Sequence, residues 1–301
     1  MTGKSITGLL AVTFFFVFTA GAIAQENDGE YLYIVPYVPS DQTRVERMLR
    51  IAGTREDDIV YDLGCGDGRI VITAAKEFGA SAVGVEINAG LIGKSERNAA
   101  KEGVADKVRF IQQDLFAADI GAATVVTLYL TELVNRKLRP KLFMELKPGT
   151  RIVSSNFDMG EWKPDKPDIP GYDIRNRIFL WIIPANVSGI WELNLSGSAE
   201  ETPSTLNLEQ KYQEVHGELA RDTQTVPLKT VTIKGDSLHF TVEKEIDGQN
   251  RTTTFEGIVR GDVIEGTAVS KTDAETLKHE WSAARDSSTR AKIYDTAIKK
   301  Y

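Results

Sequence analysis

Asp62-Leu63-Gly64-Cys65-Gly66-Asp67-Gly68 joins a β-rich run, Ile59 to Leu63, to a segment carrying Val71, Ala74, Ala75 and Phe78 at helical spacing. Such a stretch reads as strand, turn, helix. Alternate glycines let the backbone turn tightly and approach a ligand with no Cβ in the way. The helix behind them offers unpaired N–H groups and a partial positive field.

Working outward, strand and helix patterns alternate. Val45, Met48, Leu49 and Ala52 put one apolar face on a helix over Ser40 to Ala52, with Ser40 or Asp41 as its cap. Ser81 to Glu86, Lys107 to Ile111, Thr124 to Tyr129 and Arg151 to Asn156 read as further strands. Helices fall over Ala89 to Glu102 and on Leu138, Leu142 and Leu146, the last expected to break near its start at Pro140. Arg177 to Pro184 reads as one more strand, antiparallel at the far side of the sheet. Short alternating units imply a parallel sheet covered on both faces, a doubly wound Rossmann-like α/β domain over residues 30–185.

The pattern changes at Ala185. Trp191, Leu193 and Leu195 alternate with polar residues, as do Leu238, Phe240 and Val242, and Gly235-Asp236, Asp247-Gly248 and Gly261-Asp262 suit hairpins. About eight strands fit this region, the count of a small up-and-down, lipocalin-like antiparallel β-barrel, assigned here to residues 189–285. Residues 286–301 form a polar tail with room for a short helix.

Composition narrows the chemistry. The 301 residues, 42% hydrophobic and 26% charged, suffice for two ordinary domains. A net charge of −7 argues against nucleic acid as a partner, since affinity for phosphates depends on Lys and Arg displacing counterions. Cys65 is the single cysteine, so no intrachain disulfide can form, and without an activating histidine near it the thiol reads as packing rather than as a nucleophile. His216, His239 and His279 all lie in the last third, which removes Ser-His-Asp triads and His-ligated zinc from the α/β domain. No metal site is expected. Lys4 is the lone charge before Glu26, Leu9 to Ala22 is almost wholly apolar, and Ala22-Ile23-Ala24 has the small-x-small form of a cleavage site. Residues 1–24 are therefore expected to be a signal peptide, with a periplasmic or secreted product of charge −8. The alternative is an uncleaved segment that anchors the chain near a membrane.

The glycine turn is G-x-G-x-G, with Asp62 before it and Asp67 inside it. A dinucleotide site takes G-x-G-x-x-G and seats a pyrophosphate on the helix end. Two carboxylates would repel that anion but suit S-adenosylmethionine (SAM), which carries an ammonium and a sulfonium. Glu86, ending the second strand, can accept both ribose hydroxyls. Asp114, after the third, can accept the adenine amino group while the Leu115 N–H donates to the ring. Each acid falls at the carboxyl edge of its own strand, the pattern expected of a methyltransferase.

Several segments carry a closer likeness: Tyr37-Val38-Pro39-Ser40, Val60 to Arg69, Gly84-Val85-Glu86, Asp114-Leu115-Phe116, Leu138-Arg139-Pro140 and Phe157-Asp158-Met159-Gly160-Glu161-Trp162-Lys163-Pro164-Asp165. Residues 37–165 resemble bacterial members of the non-SET protein-lysine methyltransferase family whose mitochondrial relatives modify the ATP synthase c subunit and the adenine nucleotide translocase. The resemblance implies SAM contacts at Asp62, Gly64, Gly66, Glu86 and Asp114, and a wall for the methionine end near Tyr37 and Pro39. Its acceptor would be a protein lysine. A small molecule or lipid is the alternative acceptor, and a non-catalytic exported binding protein is the alternative from outside the enzymes.

Methyl transfer is an in-line displacement on an already activated sulfonium, so positioning supplies most of the rate. A lysine must first lose a proton, which costs about 4.6 kcal/mol at pH 7 from an ordinary pKa of about 10.4. The acceptor pocket is expected after the fourth strand, at Tyr129-Leu130-Thr131-Glu132, with Tyr129 and Glu132 as candidates to hold the acceptor nitrogen. Equally, Tyr129 could pack in the core and Glu132 merely start a helix.

Overall fold

In the computed structural model, which describes residues 37–166, 177–196, 203–246 and 249–295, the first half of the chain is a helix-flanked sheet. Helix α1 (Gln42–Ile51) is capped by the Asp41 carboxylate, which accepts from the Arg44 N–H at 2.8 Å, and buries Val45, Met48 and Leu49. Each of those side chains contributes about 1.5–3 kcal/mol by leaving water. The chain continues through β1 (Ile59–Leu63), α2 (Arg69–Phe78), β2 (Ser81–Glu86), α3 (Ala89–Lys101), β3 (Val108–Gln112) and β4 (Val125–Leu128). It then forms α4 (Glu132–Glu145), β5 (Arg151–Ser155) and β6 (Ile178–Ile182). The sheet order is β3-β2-β1-β4-β5-β6, parallel except for β6, which runs against β5. Strand order reverses between β1 and its neighbours β2 and β4, so their carboxyl ends open the crevice where open α/β sheets bind ligands.

Helix α4 corrects one expectation. It runs unbroken through Pro140, which lacks the N–H that would bond the Arg136 carbonyl. Val134, Leu138 and Leu142 on the same helix are fully buried, and that packing outweighs the lost bond.

The second half has nine strands rather than about eight: β7 (Gly189–Leu195), β8 (Ser204–Lys211), β9 (Glu214–Arg221), β10 (Gln224–Pro227), β11 (Lys229–Lys234), β12 (Ser237–Ile246), β13 (Gln249–Arg260), β14 (Val263–Lys271) and β15 (Thr276–Arg285). Neighbours pair antiparallel in the order β10-β9-β8-β7-β15-β14-β13-β12-β11, so the two sheet ends are consecutive pieces of chain separated by Leu228 alone. The extra strand is one barrel strand broken in two. Pro227 cannot donate onward, and a register shift with a positive φ at Thr230 turns the second piece toward β12. The result is a nearly closed barrel-like sheet filled by Trp191, Leu206, Leu208, Phe240, Phe255 and Trp281 among others.

Arg285 seals one end of this sheet. Its buried guanidinium lies 4.5 Å from the Trp191 ring centroid and donates to Asp262 at 2.7 Å and to the carbonyls of Asn186, Ser188 and Gly261. The two halves also touch. Arg139 of α4 donates to the Met159 carbonyl (3.1 Å) and to the Tyr212 hydroxyl (2.9 Å), while Trp162 stacks on the Tyr212 ring. Beyond β15 the tail forms a short 3₁₀ turn, Ser287–Thr289, and continues without helix to Asp295. The signal segment, the Asp247-Gly248 hairpin and residues 296–301 lie outside the described residues. Among those described, no helix is long and apolar enough to cross a membrane.

Candidate active site at the carboxyl edge of the sheet

The glycine turn follows β1 as the sequence requires. Gly64, Gly66 and Gly68 all have positive φ (87°, 56° and 80°), a conformation costly for residues with a Cβ. A Cβ on Gly64 would stand 2.9 Å from Leu130 Cδ2, and one on Gly66 2.6 Å from the Tyr37 ring. Both glycines are therefore roofed closely, one by the exit of β4 and the other by the segment leading into α1. Cys65 is buried against Gly84, and burial raises its thiol pKa, with the charges of Asp62 and Glu86 adding to the effect.

The two aspartates of the turn behave differently. Asp62 is 2% exposed and accepts from the Thr127 hydroxyl at 2.6 Å. Burial pushes its pKa up to about 7 against the pull of that bond, and the nearby Glu86 and Asp67 charges push the same way. Asp67 is instead held in a bidentate pair with Arg69 (2.9 and 2.8 Å), and Lys94 lies 3.4 Å away. The hydrogen bonds from Arg69 hold its carboxyl well below the ordinary range. The expectation that Asp62 and Asp67 both present negative charge to a ligand is thus corrected, because Asp67 is neutralised within the fold.

Glu86 is half-buried at the end of β2, accepting from the Gly66 N–H at 3.1 Å and the Asn88 N–H at 3.0 Å. Its two oxygens have about four acceptor sites, so about half remain for a diol. The first of those bonds ties the end of β2 to the floor of the glycine turn. Ile87, absent from the residues expected at the site, is 69% exposed beside it. Its signal was present: a β-branched apolar residue directly after an edge carboxylate has no core to face. Asp114 is exposed beyond β3, with Oδ1 accepting from the Phe116 N–H at 2.9 Å, and Leu115 beside it is partly covered.

On the acceptor side the structure separates the two candidates. Tyr129, just past β4, is partly buried and accepts a hydrogen bond from Arg44 Nη1 at 3.1 Å. Glu132 is exposed in the first turn of α4 and forms an ion pair with Arg136 one turn on (3.6 Å), the plain role of an acid at a helix start. Nothing in the sequence singles out Arg44, which reads there as one more cation on the polar face of α1.

The edge carries groups suited to a nucleoside cation. Glu86 keeps acceptor capacity for a diol, Ile87 offers an apolar face, and Asp62 supplies a carboxylate close to the turn. Comparison with known proteins gives the same class. The ANTKMT methyltransferase domain matches residues 62–166. A protein-lysine N-methyltransferase from Saccharolobus islandicus (strain REY15A) is 47% identical over 155 residues, covering 51% of this chain and 96% of the relative. The lysine N-methyltransferase of the ATP synthase c subunit from Xenopus laevis is 38% identical over 131 residues, covering 44% of this chain. This chain spans 57% of that relative's length. A crystal structure described as an RNA methyltransferase from Salinibacter ruber with S-adenosyl-L-homocysteine is 53% identical, covering 48% of this chain and 93% of the other, with a TM-score of 0.46.

Fold and cofactor define a SAM-dependent methyltransferase. Within that class, the chain belongs to the family of the archaeal protein-lysine N-methyltransferase and the ANTKMT methyltransferase domain.

Proposed function

We propose that this protein methylates the side-chain amine of a lysine in another protein, with SAM held along the carboxyl ends of β1, β2 and β3. The observation that carries the cofactor assignment is the Gly66 N–H to Glu86 bond, which fixes a carboxylate beside the glycine floor where a ribose diol can reach it. In this reading Glu86 takes the ribose hydroxyls, Ile87 flanks the adenine, Asp114 takes its amino group and the Leu115 N–H donates to its ring. Gly64, Gly66 and Tyr37 border the methionine end, and Asp62 faces the ammonium. When bound, SAM supplies a methyl group on a positively charged sulfur. The chain's own residues align the acceptor and exclude water, and Tyr129 accepts a hydrogen bond from the amine so that its lone pair points inward.

Lysine as acceptor is supported by the names of the two relatives above. We also read the apolar N-terminal segment as an export signal or anchor, on its sequence alone. The test is incubation of the full chain and SAM, tritiated on the methyl group, with a cell extract divided into protein, RNA, lipid and small-molecule fractions. Label is expected in protein, and acid hydrolysis should return it as N-methylated lysine. Label in RNA, lipid or a small molecule would overturn the acceptor assignment.

A further inference from the structure

Three consecutive residues at the turn between β8 and β9 meet three consecutive residues of the loop that leaves β5. Lys211 Nζ pairs with Glu161 at 3.0 Å, and the Tyr212 ring stacks on Trp162 with centroids 6.1 Å apart and planes 17° apart. Gln213 Nε2 donates to the Lys163 carbonyl at 2.6 Å. Tyr212 has a φ of 57°, a left-handed backbone that favours glycine. A tyrosine persists in that conformation only where its surroundings hold it. Here it is buried against the α/β half, its hydroxyl accepting from Arg139 Nη1 at 2.9 Å and donating to Asp295 at 3.3 Å.

The other end of this loop lies on the acceptor side. Asn156 follows β5, and the neighbouring strand β4 exits at Tyr129. Asn135, fully buried on α4 one turn from Glu132, donates to the carbonyls of Phe157 (3.1 Å) and Asp158 (3.3 Å). The Ser154 hydroxyl also donates to the Phe157 carbonyl, at 2.7 Å. Arg139 joins the two ends, because the Nη1 that meets Tyr212 donates to the Met159 carbonyl as well, at 3.1 Å. The start of the loop is thus held by α4 and its far end by the barrel.

We propose, resting on the acceptor position given above, that Tyr212 is a positioning residue for methyl transfer. Through Trp162 and Arg139 it sets the segment 157–160, which walls the acceptor side at the exits of β4 and β5. The barrel then takes part in the reaction without supplying a group that touches SAM. A wall fixed before the acceptor arrives spares an ordering cost on binding. It also keeps the acceptor in line, where a misplacement of about 1 Å can cost about 100-fold in rate. SAM binding along β1, β2 and β3 draws on other residues, so its affinity is expected to be independent of Tyr212.

The test compares full-chain variants in the tritium assay above, with SAM saturating and, as acceptor, the extract fraction that takes label from the wild type. Tyr212→Gly suits the left-handed turn and removes only the side chain. It should slow transfer about 10–100-fold while SAM affinity, by calorimetry, stays within about twofold of wild type. Tyr212→Phe keeps the stack on Trp162, loses the bond from Arg139, and should recover most of the rate. Phe240→Leu, packed on Phe255 and Trp281 inside the barrel, controls for lost barrel stability. Assayed well below its melting temperature, it should transfer at the wild-type rate. Hydrogen exchange read by mass spectrometry should quicken over residues 157–163 in Tyr212→Gly and not in Phe240→Leu. Tyr212→Asn, also tolerant of the turn, replaces Tyr212→Gly if the latter does not fold. Wild-type transfer by Tyr212→Gly, equal slowing in Phe240→Leu, or SAM affinity that falls in step with transfer would overturn the proposal. The two readings stay apart: label outside protein sinks the lysine reading, while the order of the variants in the labelled fraction decides the role of Tyr212. No label in any fraction sinks both.

Discussion

Two aspartates four residues apart, one at each end of β1, have opposite surroundings. Asp58, at the amino edge, accepts from the Arg55 N–H (2.8 Å) and the Thr124 hydroxyl (2.7 Å) and is paired with Arg151. Burial alone would raise its pKa, but those bonds outweigh burial and hold it below the ordinary value. Asp62, at the carboxyl edge, is as deeply buried, has one hydroxyl partner, and is pushed up to about 7. One edge of the sheet is closed by complete pairing, whereas the other keeps a carboxylate short of a cation. A site that must receive a cationic ligand is stabilised by the ligand, so its groups are under-satisfied before the ligand arrives. The difference therefore separates residues that hold the fold from residues that hold the substrate.

The largest effect should come from the closed edge. Arg151→Met leaves Asp58 buried without its cation and takes donors from the Ala52 and Gly53 carbonyls, so it should cost about 3–5 kcal/mol in denaturant unfolding. Asp58 has a lowered pKa in the folded state, so its stabilisation is present above the unfolded value of about 3.9 and is lost as pH falls through the folded one. The gap between wild type and variant should accordingly narrow below about pH 4. SAM affinity, measured well below the melting temperature, should stay the same. If Arg151→Met also weakened SAM binding, the division between the two edges would fail.

A middle-sized effect belongs to the open edge. Glu86→Ala removes the acceptor proposed for the ribose hydroxyls and should weaken SAM binding by about 1–3 kcal/mol in calorimetry, with unfolding changed by less than about 1 kcal/mol. Unchanged affinity would mean that the diol is bound elsewhere.

This division is only partly legible in the sequence. The alternating sheet and the glycine turn can be read because they depend on local periodicity and on a backbone conformation that favours glycine. That Arg177 to Pro184 forms a strand is legible for the same reason, whereas its antiparallel pairing with β5 is not a matter of local periodicity. Pairings between distant residues are not legible. Nothing near Asp67 in sequence says whether its neighbour Arg69 points at it, and the tie from Arg44 to Tyr129 closes over 85 positions. Pro140 misleads because a local rule gives a break where buried Leu138 and Leu142 decide the outcome. The split of one barrel strand at Leu228 is hidden because a broken strand and a continuous one share the same alternation.

The smallest expected effect tests the open edge at its most sensitive group. Asp62 must be ionised to face an ammonium, so SAM and a proton compete for the site. With a folded pKa of about 7, apparent SAM affinity should fall about fivefold between pH 7 and pH 6, equivalent to about 1 kcal/mol. For stability the sign is reversed relative to Asp58. Asp62 holds its proton in the folded state over a pH range in which the unfolded chain has lost it, so without ligand its contribution falls as pH rises from about 3.9 to about 7. Asp62→Asn should therefore stabilise the ligand-free protein most at pH 7 and above, while weakening SAM binding and flattening its dependence between pH 6 and 7. Calorimetric titration at those two pH values, paired with melting curves at pH 5 and pH 8, would decide the matter. A variant that bound SAM as tightly as wild type, or whose added stability did not grow with pH, would show that the buried carboxylate belongs to the fold rather than to the ligand.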